Sequence, residues 1–263
     1  MLYLIPEIRR LRESAEVAAR YGAGFEYNDF FHPDVLDDPD EIRRRVGLYL
    51  DLPRDRSLDT LHGAFLDVTV HSADPRIVSV SDARIRQCME IATRLGVRAV
   101  VFHTNLIPNF FSESYMQNWC EKNEAYWRRI LKDYAPIRVY IENMFDRTPD
   151  CLCRLAERLS GEPGFGICLD YAHACVFGDD PKRFCEMLKP YVRHLHVNDN
   201  DLVHDAHWPV GKGKIDWVAY NAFAGGLSGD VTTLIEVGSL EDFEQSVRAM
   251  KARGIFPFAG KEE

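Results

Sequence analysis

The chain has no run near the roughly 20 apolar residues that a membrane-spanning helix needs. Its opening residues, MLYLIPEIRR, meet charge too early for a signal peptide. These two absences point to a cytoplasmic protein with no membrane partner. A basic stripe is also missing: lysine and arginine are scattered among acids, and the formal net charge is -9. That balance argues against a nucleic-acid backbone as partner and suits a small neutral or metal-bridged substrate. No C-x-x-C pair occurs, and Cys151 and Cys153 are too closely spaced for a zinc knuckle. Seven cysteines, several in apolar runs such as FGICLD around Cys168, read as buried free thiols in a reducing compartment. No G-x-G-x-x-G follows the first β-rich run, so nothing favours an open dinucleotide-binding sheet. No repeat, low-complexity tract or linker divides residues 1–263, which are expected to form a single domain.

What the chain does contain is an alternation. Short β-rich runs (LYLI, GFEYN, LDTLHGAF, VRAVVFHT, IRVYIENM, FGICLD, VRHLHVND and TTLIEV) are separated by helical patterns. Ile85, Met89, Ala92 and Leu95 recur at helical spacing, as do Leu152, Leu155, Ala156 and Leu159. Thr148 before Pro149, and Asp180 before Pro181, read as N-caps followed by proline in the first turn. Ser239 with Asp242 reads as a weaker cap, and Gly96, Gly161 and Gly254 stand where helices should end. Strands alternating with helices imply parallel βαβ units, and eight such units close a (β/α)8 TIM barrel. The open doubly wound sheet is the alternative.

In such a barrel the site forms where strands end. Here the strands end on polar residues: His62, His103, Glu142, Asp170, His196 and Glu236. A carboxylate closing an apolar run is costly to bury alone, and several converging on one rim repel one another. A divalent cation resolves both problems. Glu142, Asp170, His196 and Glu236 are therefore the predicted metal ligands. Mixed carboxylate and imidazole donors suit Mn²⁺, Zn²⁺, Co²⁺ or Fe²⁺ better than Ca²⁺, and Mn²⁺ is the expected ion, with Zn²⁺ or Co²⁺ as alternatives. A single strand-end acid could equally be a salt bridge or a cap; the set is what carries the argument. His194 shares a face with His196 and is expected one layer down. His32, His71 and His204 read as surface residues.

The ordered segments HGAF, VFHT, IENM, LDYAH, HLHVND, DAHWPVGKGKIDW and IEVG resemble the xylose isomerase-like TIM barrel superfamily over nearly the whole chain. That group holds sugar (phosphate) isomerases and epimerases and the endonuclease IV family. The resemblance implies that Glu142, Asp170, His196 and Glu236 are the shared metal ligands. It also implies further ligands or substrate contacts at His62 and His103, and at His173, Asp205 and His207. The expected activity is isomerisation or epimerisation of a carbohydrate, with Glu142 and Glu236 moving the proton. An endonuclease IV-like phosphodiesterase and a non-catalytic metal-binding barrel stand as alternatives, and a homo-oligomer is left open. PVGKGKIDW is either a phosphate cradle built on Gly211, Gly213 and two lysines, or simply a turn. Trp208 is either a sugar-stacking platform or a rim filler.

Overall fold

A computed structural model of the chain describes residues 1–110, 112–228 and 230–258. Every β-rich run forms a strand: β1 (Leu2–Leu4), β2 (Gly24–Tyr27), β3 (Thr60–His62), β4 (Ala99–His103), β5 (Arg138–Glu142), β6 (Phe165–Asp170), β7 (Val192–Val197) and β8 (Thr232–Ile235). Neighbouring strands pair in parallel and in sequence order, and β8 returns to pair with β1, so the sheet closes into a barrel. The helices outside it are α1 (Leu11–Tyr21), α2 (Pro33–Leu36), α3 (Pro39–Leu50), α4 (Pro75–Leu95), α5 (Glu113–Asp133), α6 (Asp150–Arg158), α7 (Tyr171–Val176), α8 (Pro181–Leu188), α9 (Trp217–Ala224) and α10 (Leu240–Arg253).

Local chemistry explains where the helices start. Asp38, Asp74 and Asp180 each precede a proline, and each carboxylate accepts the backbone N–H two residues on. Ser239 accepts from Asp242 N and donates to its carboxylate at 2.8 Å. Gly96 and Gly254 end α4 and α10 with φ of 72° and 59°, a left-handed turn that glycine makes without strain. Two expected boundaries shift. Pro149 itself caps α6, its carbonyl accepting from Cys153 N at 2.8 Å, so Thr148 lies one residue too early. That helix closes at Leu159, and Gly161 falls in the turn beyond it, outside the left-handed region.

The helical stripes pack against the outside of the barrel and form the main core; Ile85, Met89, Ala92, Leu95, Leu152, Leu155, Ala156 and Leu159 are all buried. Alternate strand residues point inward. Ala99, Val101, Tyr140 and Cys168 make a separate small apolar cluster inside the barrel. One layer nearer the C-terminal mouth, strand register sets His103 beside Glu142, and Asp170 beside His196. All seven cysteines are free, and all but the partly exposed Cys175 are buried. Among the described residues, no helix is long and apolar enough to cross a membrane.

Candidate metal centre

Glu142 ends β5 with 1% of its surface exposed, and neither carboxylate oxygen has a hydrogen-bond partner. Its Oε2 lies 3.2 Å from His103 Nε2 and 3.6 Å from His62 Nε2. Its Oε1 lies 3.2 Å from His196 Nδ1, and the same nitrogen is 3.2 Å from Glu236 Oε2. Asp170 uses Oδ1 to accept from His173 N at 2.6 Å and leaves Oδ2 without a hydrogen-bond partner. Among the described residues, every ion-pair partner of Glu142, Asp170 and Glu236 is a histidine.

The hydrogen bonds on the outer side of each ring show how these histidines are turned. His62 Nδ1 meets the carbonyl of Gly63 at 3.0 Å, His173 Nδ1 that of Asn143 at 2.9 Å, and His207 Nδ1 that of Glu236 at 3.0 Å. A carbonyl only accepts, so Nδ1 carries the proton in each. His103 Nδ1 abuts the Met144 sulfur at 2.9 Å, another acceptor. In the neutral rings Nε2 is then a bare lone pair, and all four Nε2 atoms face carboxylates or one another. His62 and His103 meet Nε2 to Nε2 at 3.1 Å, and Asp205 Oδ2 sits 3.2 Å from Nε2 of both His173 and His207. Lone pairs facing carboxylates repel unless a cation or added protons lie between them.

Buried orphan oxygens and convergent imidazole nitrogens are the donor set of a divalent metal, and the residues fit one. Three neighbouring groups, the first two sharing Glu142, could hold an ion: His62, His103 and Glu142; Glu142, Asp170, His196 and Glu236; and His173, Asp205 and His207. Within each group the ligand atoms lie within 4.8 Å of one another. A further group, Cys168 with His194 and His196, lies one layer lower. All nine predicted site residues thus come together at one mouth of the barrel.

The electrostatics match this picture. Burial alone would raise the Glu236 carboxyl, but His196 and His207 more than offset it and hold it down at about 2. Burial lifts Asp170 to about 7, with Glu142 and Glu236 adding to the rise and His173 opposing it. Burial opposes charge on His207, yet Glu236 and Asp205 push it up to about 10. Without a cation, protons collect on His62, His173, His196 and His207, whose pKa values the neighbouring carboxylates raise against burial, and not on His103, which burial pushes down; a metal ion would displace those protons.

The segment from His194 to Trp217 is organised by a residue that the strand-end pattern leaves out. Asp199 is buried and accepts from Gly211 N at 2.8 Å, Ile215 N at 3.2 Å and Trp217 Nε1 at 3.1 Å. Its backbone pairs with Trp208 through two hydrogen bonds of 2.8 Å. This bridge carries Asp205 and His207 to the mouth, with His207 at a φ of 48°. A Cβ on Gly213 would lie 2.2 Å from Asn200 O, so the glycine-lysine turn needs a residue without one to close onto this strand end. Gly211 N is taken by Asp199, which favours the turn over the phosphate cradle.

Asn143 also escapes the strand-end pattern. It exchanges hydrogen bonds with the Asp170 backbone at 2.9 and 3.0 Å and so locks β5 to β6 beneath the site. Glu26, in the middle of GFEYN, points inward with 0% exposure. The signal for it is a lone carboxylate inside an otherwise apolar run. His194 lies one layer down as expected, its Nδ1 2.6 Å from Thr232 Oγ1. His32 and His204 are on the surface. His71 is not: it is 4% exposed and packs against Tyr115 and Trp119, because the loop after β3 folds under α5.

The model of the family described as xylose isomerase-like TIM barrel matches residues 15–224. The chain belongs to that family. Among curated proteins it is similar to a probable endonuclease 4 of Mycobacterium leprae, 28% identical over 170 residues, which cover 59% of this chain and 64% of that one. Among solved structures it is similar to the TTHB071 protein of Thermus thermophilus soaked with ZnCl2, at 24% identity and TM-score 0.77, over 100% and 99% of the two chains. It is also similar to a D-tagatose 3-epimerase-like protein, at 22% identity and TM-score 0.72, over 96% of each. Likenesses this low in identity describe the shared barrel.

Proposed function

We propose that this member of the xylose isomerase-like family is a divalent-metal-dependent isomerase or epimerase of a sugar or sugar-like hydroxy-carbonyl compound. The observation that carries the proposal is the pair Glu142 and Glu236. Both are buried, each has an oxygen 3.2 Å from His196 Nδ1, and both are held ionised, against the pull of burial, by surrounding histidines. Asp170 and His196 complete the ligand set and hold position rather than move protons.

A bound divalent ion, Mn²⁺ before Zn²⁺ or Co²⁺, would supply the charge that polarises a substrate carbonyl and acidifies the neighbouring C–H. One of the two glutamates takes the proton from that carbon, and the C–H electron pair passes into the enediolate. The other glutamate, which draws a proton from solvent while the first releases the one it took, protonates the opposite face and inverts the centre; protonation of the adjacent carbon, with a proton passing between the two substrate oxygens, isomerises the sugar. His173, Asp205 and His207 orient substrate hydroxyls at the edge of this pair. Exposed Leu66, Ile107, Phe110, Phe145 and Trp208, on the loops after β3, β4, β5 and β7, offer apolar faces of the kind sugar rings pack on.

A second reading has its own observation. The same nine residues form three contiguous groups with four Nε2 lone pairs turned inward, as a multinuclear phosphodiesterase of the endonuclease IV type would require. The test runs a panel of ketoses and aldoses with Mn²⁺, in D2O, beside abasic-site DNA. Conversion of a sugar with solvent deuterium in the product supports the proton-transfer isomerase. Cleavage of the DNA with no sugar turnover replaces it with the hydrolase. Sugar conversion without label replaces proton transfer with a hydride shift.

A further inference from the structure

His196 is turned the opposite way from the other histidines of the centre. Those four hold Nδ1 against a carbonyl or sulfur and offer Nε2. His196 offers Nδ1 to Glu142 and Glu236, and its Nε2 lies 3.0 Å from Glu26 Oε1. Among the described residues no backbone carbonyl hydrogen-bonds this ring, so something else must decide which nitrogen bears the proton.

We infer that Glu26 is the positioning residue of the metal centre: its carboxylate takes the Nε2 proton of His196 in a hydrogen bond and so presents Nδ1 as the ligand atom. Three observations support this. Glu26 and His196 are both 0% exposed, and neither Glu26 Oε1 nor His196 Nε2 has a hydrogen-bond partner elsewhere, so each is the nearest group able to satisfy the other. The Glu26 carboxylate is itself aimed: Thr60 Oγ1 donates to its Oε2 at 2.7 Å, and His194 Nε2 stands 3.2 Å from the same oxygen. The contacts also cross the barrel, from β2 and β3 to β7, so the ring is held by the sheet rather than by a loop. A carboxylate behind a ligating imidazole fixes its tautomer and raises its basicity, and such partners typically change metal affinity by about 10- to 100-fold.

The inference rests on the metal-centre reading, and the experiment separates the two. Metal-free wild type and Glu26→Gln are titrated stepwise with Co²⁺ against a chromophoric chelator, and thermal unfolding of each metal-free form is recorded. Glutamine keeps the volume of Glu26 but offers one acceptor where the carboxylate offers two, and it turns a donor toward one of the two rings. One step in Glu26→Gln is expected to weaken about 10- to 100-fold while the other steps hold. Equal affinities in Glu26→Gln and wild type overturn the inference and leave the metal centre standing. Loss of all steps together makes Glu26 a structural brace and also overturns it. Wild type that takes up no ion overturns the metal centre and this inference with it. If Glu26→Gln does not fold, Thr60→Val removes only the hydroxyl that aims the carboxylate, and the same step should weaken about 3- to 10-fold; no change there overturns the inference.

Discussion

Two carboxylates at opposite ends of the barrel are equally buried and differ in nearly everything else. Asp59, just before β3, is 1% exposed, as is Glu142 at the end of β5. Asp59 accepts from Phe25 N at 2.8 Å and Tyr27 OH at 2.7 Å, and it forms an ion pair with Arg54. Glu142 has no hydrogen-bond partner on either oxygen and faces only imidazoles. The first is a charge whose bonds are complete within the protein, which is how a buried ion is tolerated. The second is incomplete, and incompleteness at the C-terminal mouth of a barrel is where chemistry is done. The chain builds permanent partners at one end and leaves the other end open, as the proposed cation site requires.

The sharpest way to break this comparison is to remove the cation. Exhaustive chelation should abolish turnover, with Mn²⁺ or Co²⁺ restoring it, while circular dichroism of the metal-free form stays folded. Full activity with no metal by elemental analysis would show that Glu142 needs no ion. Next in size is Asp59→Asn, which leaves the Arg54 guanidinium short of its partner and should cost about 3 kcal/mol in urea unfolding. A loss below about 1 kcal/mol would mean that the paired end is no better satisfied than the open one. Glu236→Gln should do the reverse: turnover falls about 100-fold or more, equivalent to about 2.7 kcal/mol of barrier, with little change in the unfolding midpoint. A variant that turns over normally removes Glu236 from proton transfer.

The smallest effect concerns a third kind of buried ionisable group. His71 is neither ion-paired nor open to a cation; burial, with Lys122 nearby, lowers its pKa from 6.5 to about 4. The ring stays neutral in the fold while it protonates in the unfolded chain. Its contribution is therefore complete above about pH 6.5 and is lost as pH falls toward about 4. Wild type should lose about 1–2 kcal/mol between pH 7 and pH 5 relative to His71→Gln. The raised histidines of the centre act with the opposite sign, so the difference between the two proteins is the quantity to measure. Parallel pH profiles would show that His71 titrates normally.

Much of this is legible in the sequence because the barrel repeats one simple pattern. Each strand is a short apolar run, and at β3 to β7 the last inward position before the mouth carries a histidine or an acid, as Glu142, Asp170 and His196 do; Glu236 follows β8 directly. That pattern is local, and register carries it to the site. Glu26 does not end its strand and falls outside the pattern, although a carboxylate within GFEY is itself unusual. Thr148 has the neighbours of a cap, and the chain instead begins α6 one residue later.

With His173, Asp205 and His207 indicated only through the family resemblance, the sequence by itself determined the alternation of strand and helix, the closure expected of eight such units, and the identity of six polar residues at the strand ends, His62, His103, Glu142, Asp170, His196 and Glu236. These follow from spacing along the chain, since period-two burial and strand-end position need no distant contact. The tertiary structure alone decided which imidazole nitrogen each histidine offers, because that depends on the atom behind the ring: Asn143 O for His173, Glu236 O for His207, Glu26 for His196. It also decided that His71 is buried beneath Tyr115 and that the loop beyond Asp199 brings Asp205 and His207 home. Those outcomes rest on partners tens of residues away, and pairwise closeness of that kind exists only once the chain has folded.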